Sequence, residues 1–391
     1  MHKAVIVTSY PFPDSAATAN RVRSLAESLV DSGRWEVVVV GPGPRRGEYP
    51  RCANEYRFGV ICKDVKGSNT RSLGRRALDE LRGTYELYKA AKDISSDVVI
   101  VTVPSVFLGF FSLFLGRREV VIDVRDRVWS YLKGYGIGRK VAGSFLAFLL
   151  AKPFKKARLV IAINHKDGRA LSREMGVSPV VVPNGISKER FTRLRELAAK
   201  RIGCGERKAP LKVLYVGNVG VAQELETLIY AVEGDPQYRV TIVGDGRDRE
   251  RLQALIDERD IENVFMAGPM AWDGVMQHYE KADVLYGQVG EIYKTAVPTK
   301  IFEYLSAGRP VVFSCPEGAA REILEDLRGV RVPYSGDVAG LRCALDEVVS
   351  LGFDEEVAEE NRRVVRNSYL REDLSREFVR SVEGVVEQSP L

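Results

Sequence analysis

The segment 298–312, PTKIFEYLSAGRPVV, places a cation, a carboxylate and a predicted helix start within a few residues of one another. Thr299 is the predicted N-cap of this helix, and Gly308 is predicted to end it before a strand. Lys300 then lies in the first turn, where free N–H groups and the positive end of the helix dipole attract phosphate. Glu303, about one turn later, can bind two adjacent ribose hydroxyls. The pattern favours a nucleotide diphosphate site, although an ordinary capped amphipathic helix has the same residue types.

Two short glycine-containing loops follow predicted strands closer to the N-terminus. Glycine lets backbone N–H groups approach a phosphate, so both loops are predicted to bind the same ligand. Arg249 stands where the third glycine of the dinucleotide-binding fingerprint belongs, which disfavours a nicotinamide dehydrogenase. The sequence also lacks the runs typical of phosphate-loop hydrolases and of serine esterases. The predicted ligand-binding residues of the two loops are Gly217, Asn218, Gly220, Gly244 and Gly246.

Three segments of the first half can also carry chemistry. The loop 11–18 has small residues before a predicted helix, and either admits an anionic or sugar group or is a simple capped turn. Asp126 follows a predicted strand, where its carboxylate can accept a proton, orient an acceptor hydroxyl, or pair with Arg125 or Arg127. His165 follows the next strand and is predicted to be a hydrogen-bonding loop residue rather than a catalytic base.

The composition of the chain narrows the function classes. At 391 residues the chain is long for one core, so two domains are expected. The net charge of +5, with mixed signs throughout, gives no strong reason to expect nucleic-acid binding. Five scattered cysteines without a Cys-x-x-Cys pair are typical of reduced cytosolic thiols. With three unclustered histidines, we expect no zinc or histidine-rich metal site, while a carboxylate-held magnesium stays open.

Short runs rich in Val and Ile alternate with helical patterns from end to end, which predicts an α/β fold with parallel sheets covered by helices. We expect two doubly wound, Rossmann-like domains that face one another across a cleft, because such sheets bind ligands beyond the carboxyl ends of their strands. The predicted organisation is a domain over 1–186, a charged linker over 187–210, a domain over 211–354 and a helical segment over 355–391. Predicted strands are 4–8, 37–40, 98–102, 120–124, 159–163, 180–182, 212–216, 239–243, 264–267, 284–286, 311–314 and 330–332.

Two apolar runs, 106–115 and 144–151, are shorter than the ~20 residues that a membrane-spanning helix needs. Neither is expected to cross a bilayer, and the N-terminus is predicted to form a first strand rather than a signal peptide. The second run has basic flanks, which is typical of a helix on an anionic membrane surface and equally of a core helix with solvated ends. The flanking basic residues are Arg139, Lys140, Lys152, Lys155, Lys156 and Arg158.

Several motifs occur together in the order and at the intervals of one enzyme family. The motifs are DVRD at 123–126, VPNGI at 182–186, GNVGVAQ at 217–223, VGDG at 243–246, ADV at 282–284 and the run 298–310. Over nearly the whole chain the sequence resembles the family 4 glycosyltransferases, and among them bacterial enzymes that build cell-surface polysaccharides and lipopolysaccharide side chains. The resemblance implies the GT-B fold, in which an N-terminal acceptor-binding domain and a C-terminal donor-binding domain are joined, and the last helix crosses back to the first domain.

The same resemblance implies a retaining mechanism without an essential metal or a cofactor other than the donor.

Two departures from the family pattern stand out. Thr295 occupies the position where many relatives carry the first of two glutamates, the second of which corresponds to Glu303. Asn218 and Gln223 lie in the loop where many relatives place Arg and Lys. Positive charge at the diphosphate must then come from Lys300, with Lys294 as an additional candidate.

On this resemblance, the expected reaction is transfer of a hexosyl or N-acetylhexosaminyl group from a nucleotide diphosphate sugar, UDP-linked, to a hydroxyl of a lipid-linked oligosaccharide or other glycan. Lys300 would stabilise the departing diphosphate, Glu303 would hold the ribose, and Asp126 would orient the acceptor. The alternatives are a nucleotide-sugar epimerase and a non-catalytic partner subunit that binds nucleotide. The expected partners are a nucleotide sugar, a lipid-linked glycan and an anionic membrane surface, without nucleic acid. The expected location is the cytoplasm, at the inner face of the cell membrane.

Overall fold

The structure is a computed structural model that describes residues 1–12, 17–43, 56–65, 73–103, 105–132, 136–199, 210–351 and 355–387. The chain divides into two compact units, one formed by Met1–Asn184 with Arg371–Leu391 and the other by Gly185–Leu370. Each unit contains one parallel β-sheet with its own helices. The α/β fold with two doubly wound parallel sheets, predicted from the alternation of strand and helix patterns, is therefore confirmed.

The first unit begins with a strand, and its seven described strands are joined for the most part by helices. The elements are β1 (His2–Val7), α1 (Ala17–Asp31), β2 (Trp35–Pro42), β3 (Gly59–Lys63), α2 (Leu73–Asp93), β4 (Val98–Val103), α3 (Val106–Phe111), a 3-10 turn (Ser112–Phe114), β5 (Glu119–Val124), α4 (Val128–Leu132), α5 (Gly136–Lys156), β6 (Leu159–Ala162), α6 (His165–Met175) and β7 (Val180–Val181).

The second unit begins with a helix, and the last helix of the chain returns to the first unit. The elements of the second unit are α7 (Lys188–Ala199), β8 (Leu211–Val216), a 3-10 turn (Val221–Gln223), α8 (Glu226–Val232), β9 (Tyr238–Val243), α9 (Arg249–Glu258), β10 (Val264–Gly268), α10 (Trp272–Lys281), β11 (Val284–Gln288), a 3-10 turn (Glu291–Tyr293), α11 (Lys300–Ala307), β12 (Val311–Ser314), α12 (Ala319–Leu324), β13 (Val330–Arg331), α13 (Val338–Leu351) and α14 (Glu355–Ser368), and the returning helix is α15 (Arg371–Glu387).

The first sheet has the order β3-β2-β1-β4-β5-β6-β7, with every pair parallel. Apolar side chains of the central strands alternate between its two faces, so each face buries its own core. Ala4 and Ile6 pack on the side of α1 and α15, whereas Val5 and Val7 pack on the side of α2. All six predicted strands of this half exist, and β3 is an edge strand that the sequence pattern did not predict.

The second sheet has the order β10-β9-β8-β11-β12-β13, again with every pair parallel. Its central strands β8 and β11 are almost wholly buried, as expected for strands covered by helices on both faces. The order places the carboxyl ends of β8, β9, β11 and β12 along one edge. The segments after β8, β9 and β11 carry the residues predicted to bind the donor.

Part of the predicted linker 187–210 is helical. Residues Lys188–Ala199 form α7, whose Phe191 and Leu194 are buried in the core of the second unit. Residues 200–209 of the predicted linker lie outside the described residues. The predicted C-terminal helical segment consists of α14 in the second unit and α15 in the first.

The two apolar runs form helices with different surroundings. The run 106–115 forms α3 and the 3-10 turn after it, and its Val106 and Leu108 are buried. The run 144–151 lies in α5, where Leu150 is buried while Phe145 and Phe148 are 58% and 75% exposed. Within the described ranges, no helix is long and apolar enough to cross a membrane.

Candidate functional site

The helix α11 begins and ends where the sequence predicts. Gly308 ends it in the left-handed conformation, with φ of 63°, which glycine adopts without steric cost. Thr299 holds the N-cap position but has helical backbone angles, and its side chain makes no capping hydrogen bond. Thr299 therefore occupies the predicted N-cap position without a side-chain cap, because a capping side chain reaches the first-turn amides from an extended residue. Burial of Ile301 and Leu305 against the sheet fixes the helix instead.

Lys300 lies against a buried tyrosine of the neighbouring strand. Its Nζ donates a hydrogen bond to the Tyr215 Oη at 2.7 Å and lies 3.9 Å from the centroid of the Tyr215 ring. The Tyr215 hydroxyl in turn donates to the carbonyl oxygen of Asn218 at 2.6 Å. Burial lowers the pKa of Lys300 to about 7, although the nearby Glu303 carboxylate raises it. Burial also raises the pKa of Tyr215, so its neutral phenol orients a lysine that titrates near neutral pH.

Gly217 makes room for the Lys300 ammonium. Its φ is +146°, and a Cβ at this position would lie 2.8 Å from the Lys300 Nζ. Any larger residue would be strained in this backbone conformation and would displace the ammonium. The absence of a side chain at Gly217 thus allows Lys300 to lie against this loop, as predicted.

The glycines of the second loop serve close packing between loops. A Cβ at Gly244 would lie 1.8 Å from the carbonyl oxygen of Gly217, and one at Gly246 would lie 2.1 Å from that of Val219. The N–H of Gly217 donates to the carbonyl oxygen of Val243 at 2.9 Å, and that of Val219 donates to the carbonyl oxygen of Asp245 at 2.8 Å. The N–H groups of Gly244 and Gly246 are also engaged, with the Gly268 carbonyl oxygen and the Asp245 Oδ1, each at 2.9 Å. Gly244 and Gly246 therefore contribute to the site by allowing the two loops to pack closely.

Polar side chains of the first loop bond to one another. The Asn218 Nδ2 donates to the Gln223 Oε1 at 3.0 Å, and the backbone N–H of Gly220 donates to the same oxygen at 3.2 Å. Asn218 is exposed, so its amide is accessible to a ligand. The loop 217–223 has no cationic residue in its sequence, and the structure places the Lys300 ammonium against Gly217 of this loop.

Glu303 lies one turn after Lys300 and has two protein partners. Its Oε1 accepts a hydrogen bond from the Arg190 Nη1 at 2.9 Å, and its Oε2 accepts one from the Tyr279 hydroxyl at 3.3 Å. The guanidinium of Arg190 also stacks on Trp272, 4.3 Å from the ring centroid. Sequence reasoning missed Arg190 because it lies in the segment predicted to be a linker. Its pairing with a carboxylate 113 residues away leaves no local signal.

Asp126 lies in the first unit, in a cluster of buried charges beyond the end of β5. Burial and the Asp126 carboxylate raise the pKa of Tyr10 to about 12, and burial lowers the pKa of Arg125 to about 10. Arg127 pairs with Asp167 at 2.7 Å, so it is engaged by another carboxylate. Asp126 is half-buried.

Other predicted residues of this unit have structural surroundings. His165 is the exposed first residue of α6, and Asn164 before it caps that helix. Asn184 accepts a hydrogen bond from Arg21, which pairs with the buried Asp123 at 2.9 Å. Residues 13–16 of the predicted loop 11–18 lie outside the described residues. In the described part of the chain, no group of three or more His, Cys, Asp or Glu side chains could hold a metal ion.

Comparison with known proteins identifies the family of both halves. Residues 18–190 match the family described as Glycosyltransferase Family 4, and residues 199–371 match the one described as Glycosyl transferases group 1. Sulfoquinovosyl transferase SQD2 of Arabidopsis thaliana is 31% identical over 147 residues. This match covers 37% of the present chain and only 28% of the plant enzyme.

Solved structures share the fold over the whole chain. Sucrose-phosphate synthase (tll1590) from Thermosynechococcus elongatus has a TM-score of 0.80 at 16% identity and covers 100% of both chains. Anabaena Alr3699/HepE, solved in complex with UDP and glucose, has a TM-score of 0.71 at 16% identity over 98% of this chain and 100% of its own. At these identities the likeness shows the fold alone. The two family matches show that this chain belongs to the family 4, group 1 glycosyltransferases, and the solved structures show that it has their GT-B fold.

Proposed function

We propose that this protein is a retaining glycosyltransferase that uses a UDP-sugar as donor. The observation that carries the proposal is the placement of Lys300 and Glu303 on consecutive turns of α11, beside the loop that begins at Gly217. A cation at a helix start suits a diphosphate, and a carboxylate one turn later suits the ribose hydroxyls of the same nucleotide. The complex of the similar-fold protein HepE with UDP and glucose supports the choice of nucleotide.

The proposed reaction breaks the bond between the anomeric carbon and the diphosphate oxygen and forms a bond from that carbon to an acceptor hydroxyl. Lys300 stabilises the negative charge that develops on the departing diphosphate. The departing phosphate oxygen accepts the proton of the acceptor hydroxyl, which balances the charge. Asp126 orients the acceptor, and Asn218 offers its exposed amide to the donor.

The acceptor in this proposal is a lipid-linked oligosaccharide or another glycan at the inner face of the cell membrane. The support is an exposed apolar stripe on α5, formed by Val141, Phe145 and Phe148 at helical spacing, which are 64%, 58% and 75% exposed. Exposed Lys140 and Lys152 flank the stripe, and an anionic lipid surface complements both features.

Flotation with vesicles containing anionic lipid tests the membrane proposal. We expect the protein to float with the vesicles, and the double variant Phe145→Ser/Phe148→Ser to stay in the dense fraction. Phe265→Ser, which changes an exposed phenylalanine of the second unit, is the matched control and should float. Equal flotation of all three proteins would refute the role of α5.

A transfer assay with Lys300→Ala tests the catalytic proposal. This variant should lose most turnover while its thermal unfolding midpoint stays near that of the native protein. Lys281→Ala, which removes an exposed lysine of α10, should keep full activity. Near-normal transfer by Lys300→Ala would contradict the proposal.

Two further assays separate the alternatives. Conversion of the donor without acceptor would indicate an epimerase. Nucleotide binding without transfer to any acceptor would indicate a non-catalytic subunit, which is the alternative raised by Thr295 and by the uncharged loop 217–223.

A further inference from the structure

We propose that Arg190 is a positioning residue of the donor site, which holds the Glu303 carboxylate in the orientation that receives the nucleotide ribose. The inference rests on the proposed function of Glu303. It adds a residue of α7 that neither the sequence motifs nor the glycine loops contain. The contacts of Arg190, the acceptor capacity of Glu303 and the charges around it support the proposal in turn.

The contacts of Arg190 fix both its own position and that of Glu303. One face of the guanidinium packs on the Trp272 ring at 4.3 Å, while the Nη1 reaches the Glu303 Oε1 at 2.9 Å. The Tyr279 hydroxyl donates to the other oxygen of the same carboxylate at 3.3 Å. Tyr279 is fully buried, and the Glu303 side chain is only 13% exposed, so the carboxylate has little rotational freedom. Its orientation is set before a ligand arrives.

The remaining acceptor capacity of Glu303 matches a ribose. An ionised carboxylate accepts about four hydrogen bonds, two on each oxygen. Arg190 and Tyr279 take one on each oxygen, and one site stays on each. Two adjacent hydroxyls of a ribose can donate to these two remaining sites. Arg190 therefore orients Glu303 and leaves it able to bind the diol.

The positive charge of Arg190 also favours binding of a nucleotide diphosphate. A carboxylate close to a bound diphosphate repels it, and Lys300 on the same helix has to compensate for both. The Arg190 guanidinium, paired with Glu303 at 2.9 Å, offsets that repulsion. Lysine would keep the charge at this position but would lose the planar stacking on Trp272 and the fixed geometry of the donors.

Calorimetric binding of UDP and of its 2′,3′-dideoxyribose analogue tests the proposal. The variants are Arg190→Gln and Arg190→Lys, and the control is Arg193→Gln. Arg193 lies one turn later on α7 and pairs with the exposed Asp273 at 2.5 Å, so its replacement makes the same charge change on the same helix. Circular dichroism and the unfolding midpoint report whether each variant is folded.

We expect Arg190→Gln to raise the Kd of UDP by roughly tenfold, as for loss of one charge-assisted hydrogen bond, and that of the dideoxy analogue by less than about twofold. Arg190→Lys should fall between Arg190→Gln and the native protein, and Arg193→Gln should bind both ligands like the native protein. If Arg190→Gln does not fold, Arg190→Lys is compared with the native protein instead, because lysine keeps the charge that pairs with Glu303.

Equal weakening of both ligands by the Arg190 variants would overturn the inference, since loss of structure or of general charge affects both alike. Unchanged UDP binding would overturn it too. If the native protein binds UDP and the dideoxy analogue equally, the role of Glu303 in ribose binding fails, and the inference fails with it. If the native protein binds neither ligand, the proposed donor itself is wrong. The four results are distinct.

Discussion

The protonation of Lys300 should make the affinity for a donor fall as pH rises through neutrality. Burial lowers the pKa of Lys300 to about 7. A bound diphosphate favours the charged form, so the donor binds best where the ammonium is already protonated. Protonation is ~90% complete one unit below this pKa and ~10% complete one unit above it, so the Kd should rise roughly tenfold, or ~1.4 kcal/mol, between about pH 6 and pH 8.

Isothermal titration calorimetry with UDP-glucose measures this effect directly. Both phosphates of the donor are esterified, so the ligand keeps its charge across the range. Tyr215 also keeps its proton, because burial raises its pKa well above the ordinary value. Lys300→Met should bind weakly and without the decline, and Lys300→Arg should keep its charge at every pH in the series. A decline of equal steepness in Lys300→Met would refute the reasoning, as would a flat profile in the native protein.

Three further changes have defined expectations. Gly244→Ala should lower the free energy of unfolding by ~3 kcal/mol or more, because its Cβ would overlap the carbonyl oxygen of Gly217, whereas Gly234→Ala, with φ of +69° and open space around it, should cost only ~1 kcal/mol in urea unfolding. Tyr215→Phe should lower stability by ~1 kcal/mol and weaken donor binding in calorimetry, since the lost hydroxyl orients Lys300. Lys300→Met should raise the unfolding midpoint more near pH 7 than near pH 10, because the folded chain binds fewer protons than the unfolded chain at Lys300, so native stability rises with pH over that window. A larger gain near pH 10 would contradict this sign.

Local patterns were sufficient to predict the sheets and the helix that carries Lys300 and Glu303, because alternation, capping glycines and apolar stripes act over a few residues. The strand β3 was missed because its burial is set by pairing with β2 and is incomplete on both faces. Arg190 was missed for a related reason. The role of Arg190 depends on the carboxylate that the tertiary fold places beside it, which the local sequence does not show. The charged residues around Arg190 are also typical of a linker.

The glycine-containing loops show a second limit of prediction from sequence. A Gly-x-Gly sequence after a strand predicts that another group approaches the backbone closely, but it does not identify that group. At Gly244 and Gly246 the approaching atoms are carbonyl oxygens of the loop 217–219. Only the arrangement of two loops from different strands could distinguish this from a bound phosphate.

The discontinuous first unit has a consequence for biosynthesis. The helix α15 completes its core with Phe378, Val382 and Val385 and packs against α1, yet the chain between Asn184 and Arg371 belongs to the second unit. During translation, β1 and α1 are synthesised long before α15, which covers them. One apolar face of the nascent first unit therefore stays uncovered until the whole second unit has been translated. We therefore expect chaperone dependence during this interval, and a yield that is sensitive to truncation within α15.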